Sequence, residues 1–338
     1  MSIEPEFLPP QVPPSLASPM HSERPLESSS ETYFGQPPAP AKTARPIPHL
    51  GHTVLLLIVV GGVLFLTEIA IFAFVAATHA FGTETPQQML REPRLLIPSM
   101  AISYILAGAI SWAIFTNLWG EPFPLGVRWN SLFVRRSFFR LLSLGILLSA
   151  TVQLLSNYLP IPKTLPIDDF FRTPADIWLV AIFGTFLAPP FEELIFRGFM
   201  LPSFATAWDW TMRRKSPDPT ATNLFIGNGG SLVPQPVPQP VPPLIPQAGR
   251  DPHWSPGALV FSSVVTSIFF AMVHADQLAH SWVPLSILFT VSIVLCLVRL
   301  RAHSLAASAL VHSAYNASIF VAIFIATDGF RHLDKINQ

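Results

Sequence analysis

The chain has 338 residues, half of them hydrophobic, 12% charged, with balanced acidic and basic counts and a mean hydropathy of +0.46. Soluble domains carry about 25% charged residues, so this is a membrane chain, and a net charge of zero gives nucleic acid no footprint to bind. The apolar runs are continuous, about 20 residues long, and lack the alternation of a β-barrel; the expected fold is all-α, a polytopic bundle of about seven transmembrane helices.

Residues 1–50 are rich in proline and serine and contain no apolar run. They cannot bury enough surface to fold and read as a disordered tail. A basic segment followed by an apolar one is missing there, so no signal peptide is expected.

Residues 51–160 hold the first three spans, 52–80, 95–117 and 138–159. Gly61 and Gly62 in the first would permit close helix approach, and Glu68 is its one acidic residue. Trp119 and Trp129 after the second suit an interfacial belt. Loop 160–175 carries Asp168 and Asp169, read as a solvated pair. Span 176–208 is interrupted by Pro189 and Pro190. Proline removes a backbone donor and kinks a helix, and the freed carbonyls need partners or water.

An insertion follows at 212–256, dominated by alternating prolines from Val233 to Pro243. It reads as a disordered polyproline spacer outside the membrane. Spans 257–275, 282–300 and 303–327 complete the bundle, and 328–338 form a polar tail. The single cysteine, Cys296, lies in an apolar run and is expected to pack or face lipid.

Seven spans put the two termini on opposite sides. The N-terminal side carries Lys42, Arg45, Arg128, Arg135, Arg136, Arg213, Arg214, Lys215, Arg250, Arg299 and Arg301. The other has only Arg91, Arg94, Lys163, Arg172, Arg331 and Lys335. The positive-inside rule places the N-terminus and the insertion in the cytoplasm of a multi-pass cell-membrane protein.

The chemistry concentrates in 176–327. Ionisable groups in hydrocarbon cost roughly 2.5–3.5 kcal/mol each on insertion scales and persist where they pair or work. Glu193 and Arg197 are four apart, in the favourable acid-before-base order. Glu192 lies about 100° around the helix, and its i+4 position is Phe196, so it has no basic partner there. A carboxylate left unpaired among apolar side chains suits a general base. Span five ends in Phe270-x-x-x-His274, and span seven carries His312-x-x-x-Asn316 on one face. Together these residues offer a base (Glu192), a group to hold water (His274) and two donors for an oxyanion (His312 and Asn316). For the groups to meet, the fifth helix should continue past His274, as far as about His280.

Glu192-Glu193-x-x-x-Arg197, Phe270-x-x-x-His274 and His312-x-x-x-Asn316 resemble the three motifs of the CAAX prenyl protease and bacteriocin-processing (CPBP, or Abi) family. Ser304-Leu305 and Phe196-Arg197-Gly198 resemble it too. The resemblance covers 176–327 without the insertion, which is a departure from the family pattern. It implies an intramembrane endopeptidase related to the type II CAAX protease, which removes the last three residues of prenylated proteins. The expected partners are the lipid bilayer and a peptide or lipidated protein substrate.

Cofactors are open at this level. His-Glu-x-x-His is absent, yet Glu192, His274 and His312 could still bind zinc. Asn316 is a poor zinc ligand and a good donor, which favours a metal-free glutamate mechanism. Rhomboid-type Ser–His and presenilin-type paired aspartates are missing. The competing readings are a proton-coupled transporter, although no inverted repeat is visible, and a non-catalytic immunity or assembly factor.

Overall fold

A computed structural model describes residues 48–78, 92–162, 164–215 and 254–332. All of them lie in one compact unit, Ala44–Gln338. The proline-rich tail, most of the insertion and the last six residues lie outside the described residues.

Seven main helices form the bundle, with no strand among the described residues. They are α1 (Leu50–Thr78), α2 (Pro93–Trp119), α3 (Ser131–Ser156), the long composite α4 (Pro174–Ile182 through Leu201–Lys215), α5 (Pro256–Met272), α6 (Trp282–Ala302) and α7 (Leu305–Ala326). Six are long and apolar enough to cross a membrane; α5, at 17 residues, is shorter, about 25 Å of helix. Apolar side chains such as Ile58, Phe65, Phe139 and Leu147 point outward, each more than 60% exposed. That suits lipid as the surrounding solvent.

Local chemistry sets the helix ends. α3 starts seven residues before the span expected from hydropathy. The Asn130 side chain accepts from the Phe133 N–H at 3.0 Å, and that cap carries Arg135 and Arg136 into the helix instead of a loop. Ser304 caps α7 by accepting from the Ala307 N–H and donates to the Asn130 carbonyl at 3.2 Å. The starts of α3 and α7 are thereby tied together. Loop Asp168 and Asp169 serve the loop itself: Asp168 accepts from the Leu165 N–H and Asp169 pairs with Arg172 at 2.7 Å. Asp176, 3% exposed, takes Arg94 at 3.2 Å and anchors the start of α4 to α2.

The fifth helix does not run on to His280. It stops at Met272, and a 3-10 turn follows at Asp276–Leu278. The His274 N–H bonds the Ala271 carbonyl, three residues back. The Phe270 carbonyl, the ordinary α-helical acceptor for that N–H, is taken by His274 Nδ1 at 2.8 Å. Ala279 and His280 then adopt left-handed backbone, φ 50° and 54°, which ends the 3-10 turn.

Packing joins the N-terminal helices to α4 and α7. Phe115, Trp119, Phe123 and Phe199 stack around Leu56, Val60, Phe191 and Leu305. Trp119, expected at an interfacial belt, is thus turned onto Phe123 and Phe199. Thr53 of α1 donates to the Phe199 carbonyl and shares a 2.7 Å hydrogen bond with Ser203. α3 packs closely on α7. A Cβ added to Gly145 would stand 2.5 Å from the Val311 carbonyl oxygen and 2.6 Å from the Ala314 Cβ. Gly145→Leu is therefore expected to cost about 1–3 kcal/mol or more by overpacking, read as a lowered midpoint of thermal unfolding in detergent. Gly61→Leu and Gly62→Leu, at positions that nothing approaches within 4 Å, should leave it unchanged. Cys296 is buried with its sulfur 3.9 Å from the Ser267 hydroxyl, a packing position. The C-terminal tail begins packed, since Phe330 is 1% exposed and edge-on to Trp178 and Phe324.

Candidate active site

α4 is a helix whose hydrogen-bond ladder changes register on both sides of the glutamates. Phe183–Leu187 and Leu194–Met200 are π-helical, and the α-helical segment Ala188–Glu193 lies between them. The Ala188 N–H bonds the Phe183 carbonyl, the i→i−5 rung of a π-helix. The next rung would run from residue 189 to the Gly184 carbonyl, but Pro189 has no N–H to give. Asn316 of α7 fills the gap, with Nδ2 donating to the Gly184 carbonyl at 2.7 Å. The proline pair thus creates an acceptor within α4, and α7 answers it with a motif residue.

Glu192 and Glu193 close the α segment and face different surroundings. Glu193 and Arg197 are both 0% exposed and pair at 2.9 Å between Nη1 and Oε1. Arg197 Nη2 donates to the Ser292 hydroxyl at 2.6 Å and to the Ser292 carbonyl at 3.0 Å, both on α6. Its guanidinium lies 4.6 Å from the centre of the Phe270 ring, a cation–π contact from α5. The same Glu193 oxygen accepts from His312 Nδ1 at 3.1 Å.

His312 therefore sits between the two carboxylates. Nδ1 is spent on Glu193, and Nε2 faces Glu192 Oε2 at 3.8 Å. That exceeds a hydrogen bond. The Glu192 side chain keeps 19% of its surface exposed against none for Glu193, so Glu192 is the glutamate that solvent can reach. Phe191, just before it, stacks on Tyr104 of α2 at 4.0 Å between ring centres.

His274 joins the group through Phe270, whose ring centre lies 5.1 Å from the His274 ring and 5.7 Å from the His312 ring. A backbone carbonyl can only accept, so His274 Nδ1 carries the proton and Nε2 is left as the basic nitrogen. Asn316 spends one amide hydrogen on Gly184 and retains the other.

The site thus joins Arg197 and His312 through Glu193, places Glu192 beside His312, adds Asn316 through the α4 backbone, and attaches His274 across Phe270. Among the described residues, no group of three His, Cys, Asp or Glu side chains has a geometry that could hold a metal ion. Glu192, His274 and His312 are not gathered in that way. Ser292 and Tyr104 escape sequence reasoning. A single serine or tyrosine in an apolar span has no periodic or motif signal, and only the fold shows what each one meets.

The family model for the Rce1-like type II CAAX prenyl endopeptidases matches residues 174–224 and 243–318. All three motifs fall within those limits, and α1, α2 and α3 lie outside them. No curated protein and no solved structure matches the chain.

Proposed function

We propose that this chain, whose C-terminal region matches the family model of the Rce1-like type II CAAX prenyl endopeptidases, hydrolyses a peptide bond in a membrane-associated substrate with a water activated by Glu192. The observation that carries the reading is the division between the two glutamates. Glu193 is buried and claimed by Arg197 and His312. Glu192 is reachable by solvent and faces His312 Nε2 at 3.8 Å, unclaimed by a hydrogen bond to it.

In the reaction, a water between Glu192, His274 and the scissile carbonyl gives a proton to the Glu192 carboxylate. The hydroxide adds to the carbonyl carbon. The oxyanion receives the second Asn316 N–H, while His312 keeps Nδ1 on Glu193 and turns Nε2 toward Glu192. Collapse of the tetrahedral intermediate breaks the C–N bond, and the Glu192 carboxyl returns its proton to the leaving amine. Glu193 holds His312 through Nδ1, and Arg197 holds Glu193.

No step is routed through a metal: Asn316, on one face of α7 with His312, is a poor zinc ligand and a good hydrogen-bond donor. The substrate is a peptide or lipidated protein presented from the bilayer, of the C-terminally prenylated class that the family description names. The protein is a multi-pass cell-membrane protein with its N-terminus and insertion in the cytoplasm. The family match favours hydrolysis over proton-coupled transport or a non-catalytic assembly role.

The test uses the full chain, purified into lipid nanodiscs, with a farnesylated peptide ending in a CAAX sequence. Release of the C-terminal tripeptide, followed by mass spectrometry, is the expected result, and a chelator should leave its rate unchanged. An intact peptide would reject the substrate class, and loss of activity in chelator with recovery on added zinc would reject the metal-free chemistry.

A further inference from the structure

α6 carries none of the three motifs, yet it reaches the core of the site. Ser292 is fully buried, and Arg197 Nη2 donates to both its hydroxyl and its carbonyl. The other nitrogen, Nη1, is on Glu193 Oε1, while Nε has no hydrogen-bond partner. Glu193, Ser292 and the face of Phe270 hold the guanidinium, with Cys296 and the Phe196 ring beside it. Of these, Ser292 fixes the end of the fork opposite Glu193. The hydroxyl is the closer of the two Ser292 acceptors, at 2.6 Å against 3.0 Å for the carbonyl, so removing it leaves that end of the planar fork on the longer bond alone and loosens it.

The consequence passes along a single oxygen. Glu193 Oε1 accepts from both Arg197 Nη1 and His312 Nδ1. Arg197, with Ser308 also at the carboxylate, sets that oxygen, the His312 ring follows it, and Nε2 turns toward or away from Glu192. We propose that Ser292 is a positioning residue: through Arg197 and Glu193 it holds the His312 ring with Nδ1–H on Glu193 and Nε2 facing Glu192. Its effect on turnover rests on the peptidase reading above. Its effect on His312 does not.

A serine that merely satisfies a buried arginine would change stability and nothing else, so the test reads the far end of the chain. The full-length protein is labelled with 15N-histidine in nanodiscs, and the His312 signals are assigned by their loss in His312→Gln. In the wild type, the His312 ring nitrogens should show a proton held on Nδ1. Ser292→Ala should shift them toward a mixture of tautomers, and Ser292→Thr, which keeps the hydroxyl, should restore the wild-type pattern. Ser292→Cys, close to serine in size but with a weak acceptor, should resemble Ser292→Ala and serves if the alanine variant does not fold.

With the farnesylated CAAX peptide, Ser292→Ala should lower kcat roughly ten- to hundredfold, the range spanned by one hydrogen bond to a charged group. KM should stay within about twofold, since uniform substrate binding is untouched. Ser292→Thr should recover most of kcat. His312 signals identical to wild type in both Ser292→Ala and Ser292→Cys would overturn the proposal, whatever happens to stability. If wild-type protein leaves the peptide intact, the peptidase reading fails while the histidine spectra still decide the role of Ser292.

Discussion

Glu192→Gln is expected to remove roughly 100- to 10,000-fold of the peptidase rate, the span that a positioned general base contributes, and to leave the protein folded. The two halves of that expectation have separate origins. The amide keeps the size of the carboxylate but cannot accept the proton from water. The fold does not depend on the charge, because the nearest ion-pair partner of Glu192 is His312 at 3.8 Å, beyond hydrogen-bonding distance. Peptide cleavage and thermal unfolding of the same nanodisc preparation measure both. A Glu192→Gln protein that unfolds with the wild type and cleaves equally well would remove Glu192 from the chemistry.

Arg197→Leu should behave in the opposite way, with stability lost first. It leaves the Glu193 carboxylate at 0% exposure without its cation. Removing one partner of a buried ion pair costs about 3–5 kcal/mol. Replacing both members by apolar groups removes the stranded charge, so Glu193→Leu with Arg197→Leu should regain a large part of that loss. The double variant should remain inactive, since nothing then holds His312 Nδ1. The comparison needs three unfolding curves in one detergent and one cleavage assay. A double variant no more stable than Arg197→Leu alone would mean that the pair is not stabilised as a unit, and an active one would mean that Glu193 does not position His312.

These two glutamates also show how far spacing reaches. The i,i+4 rule singles out Glu193 for Arg197 because a helix brings those positions together whatever the surrounding fold. Hydropathy finds the helices for a similar reason: each span must satisfy its own backbone hydrogen bonds in lipid, so its apolar length is written locally. The boundaries were less legible. The Asn130 cap that starts α3 early is a local signal that hydropathy passes over. The end of α5 goes with the His274 imidazole capturing the Phe270 carbonyl, which no apolar run encodes.

What the sequence determined by itself is the class of the protein, its number of apolar helices, the three motifs and the partner of Glu193. All of these follow from composition or from contacts within one helix turn. What only the tertiary structure decided is how the motifs meet: one Glu193 oxygen shared by Arg197 and His312, Asn316 on the carbonyl that Pro189 leaves open, His274 reaching the group across Phe270, and Ser292 on a helix without a motif. Those are contacts between residues up to 132 positions apart. They follow from the packing of α4, α5, α6 and α7 and from the register shifts in α4, because a side chain's partner across a bundle is set by helix rotation and depth, which sequence spacing does not carry.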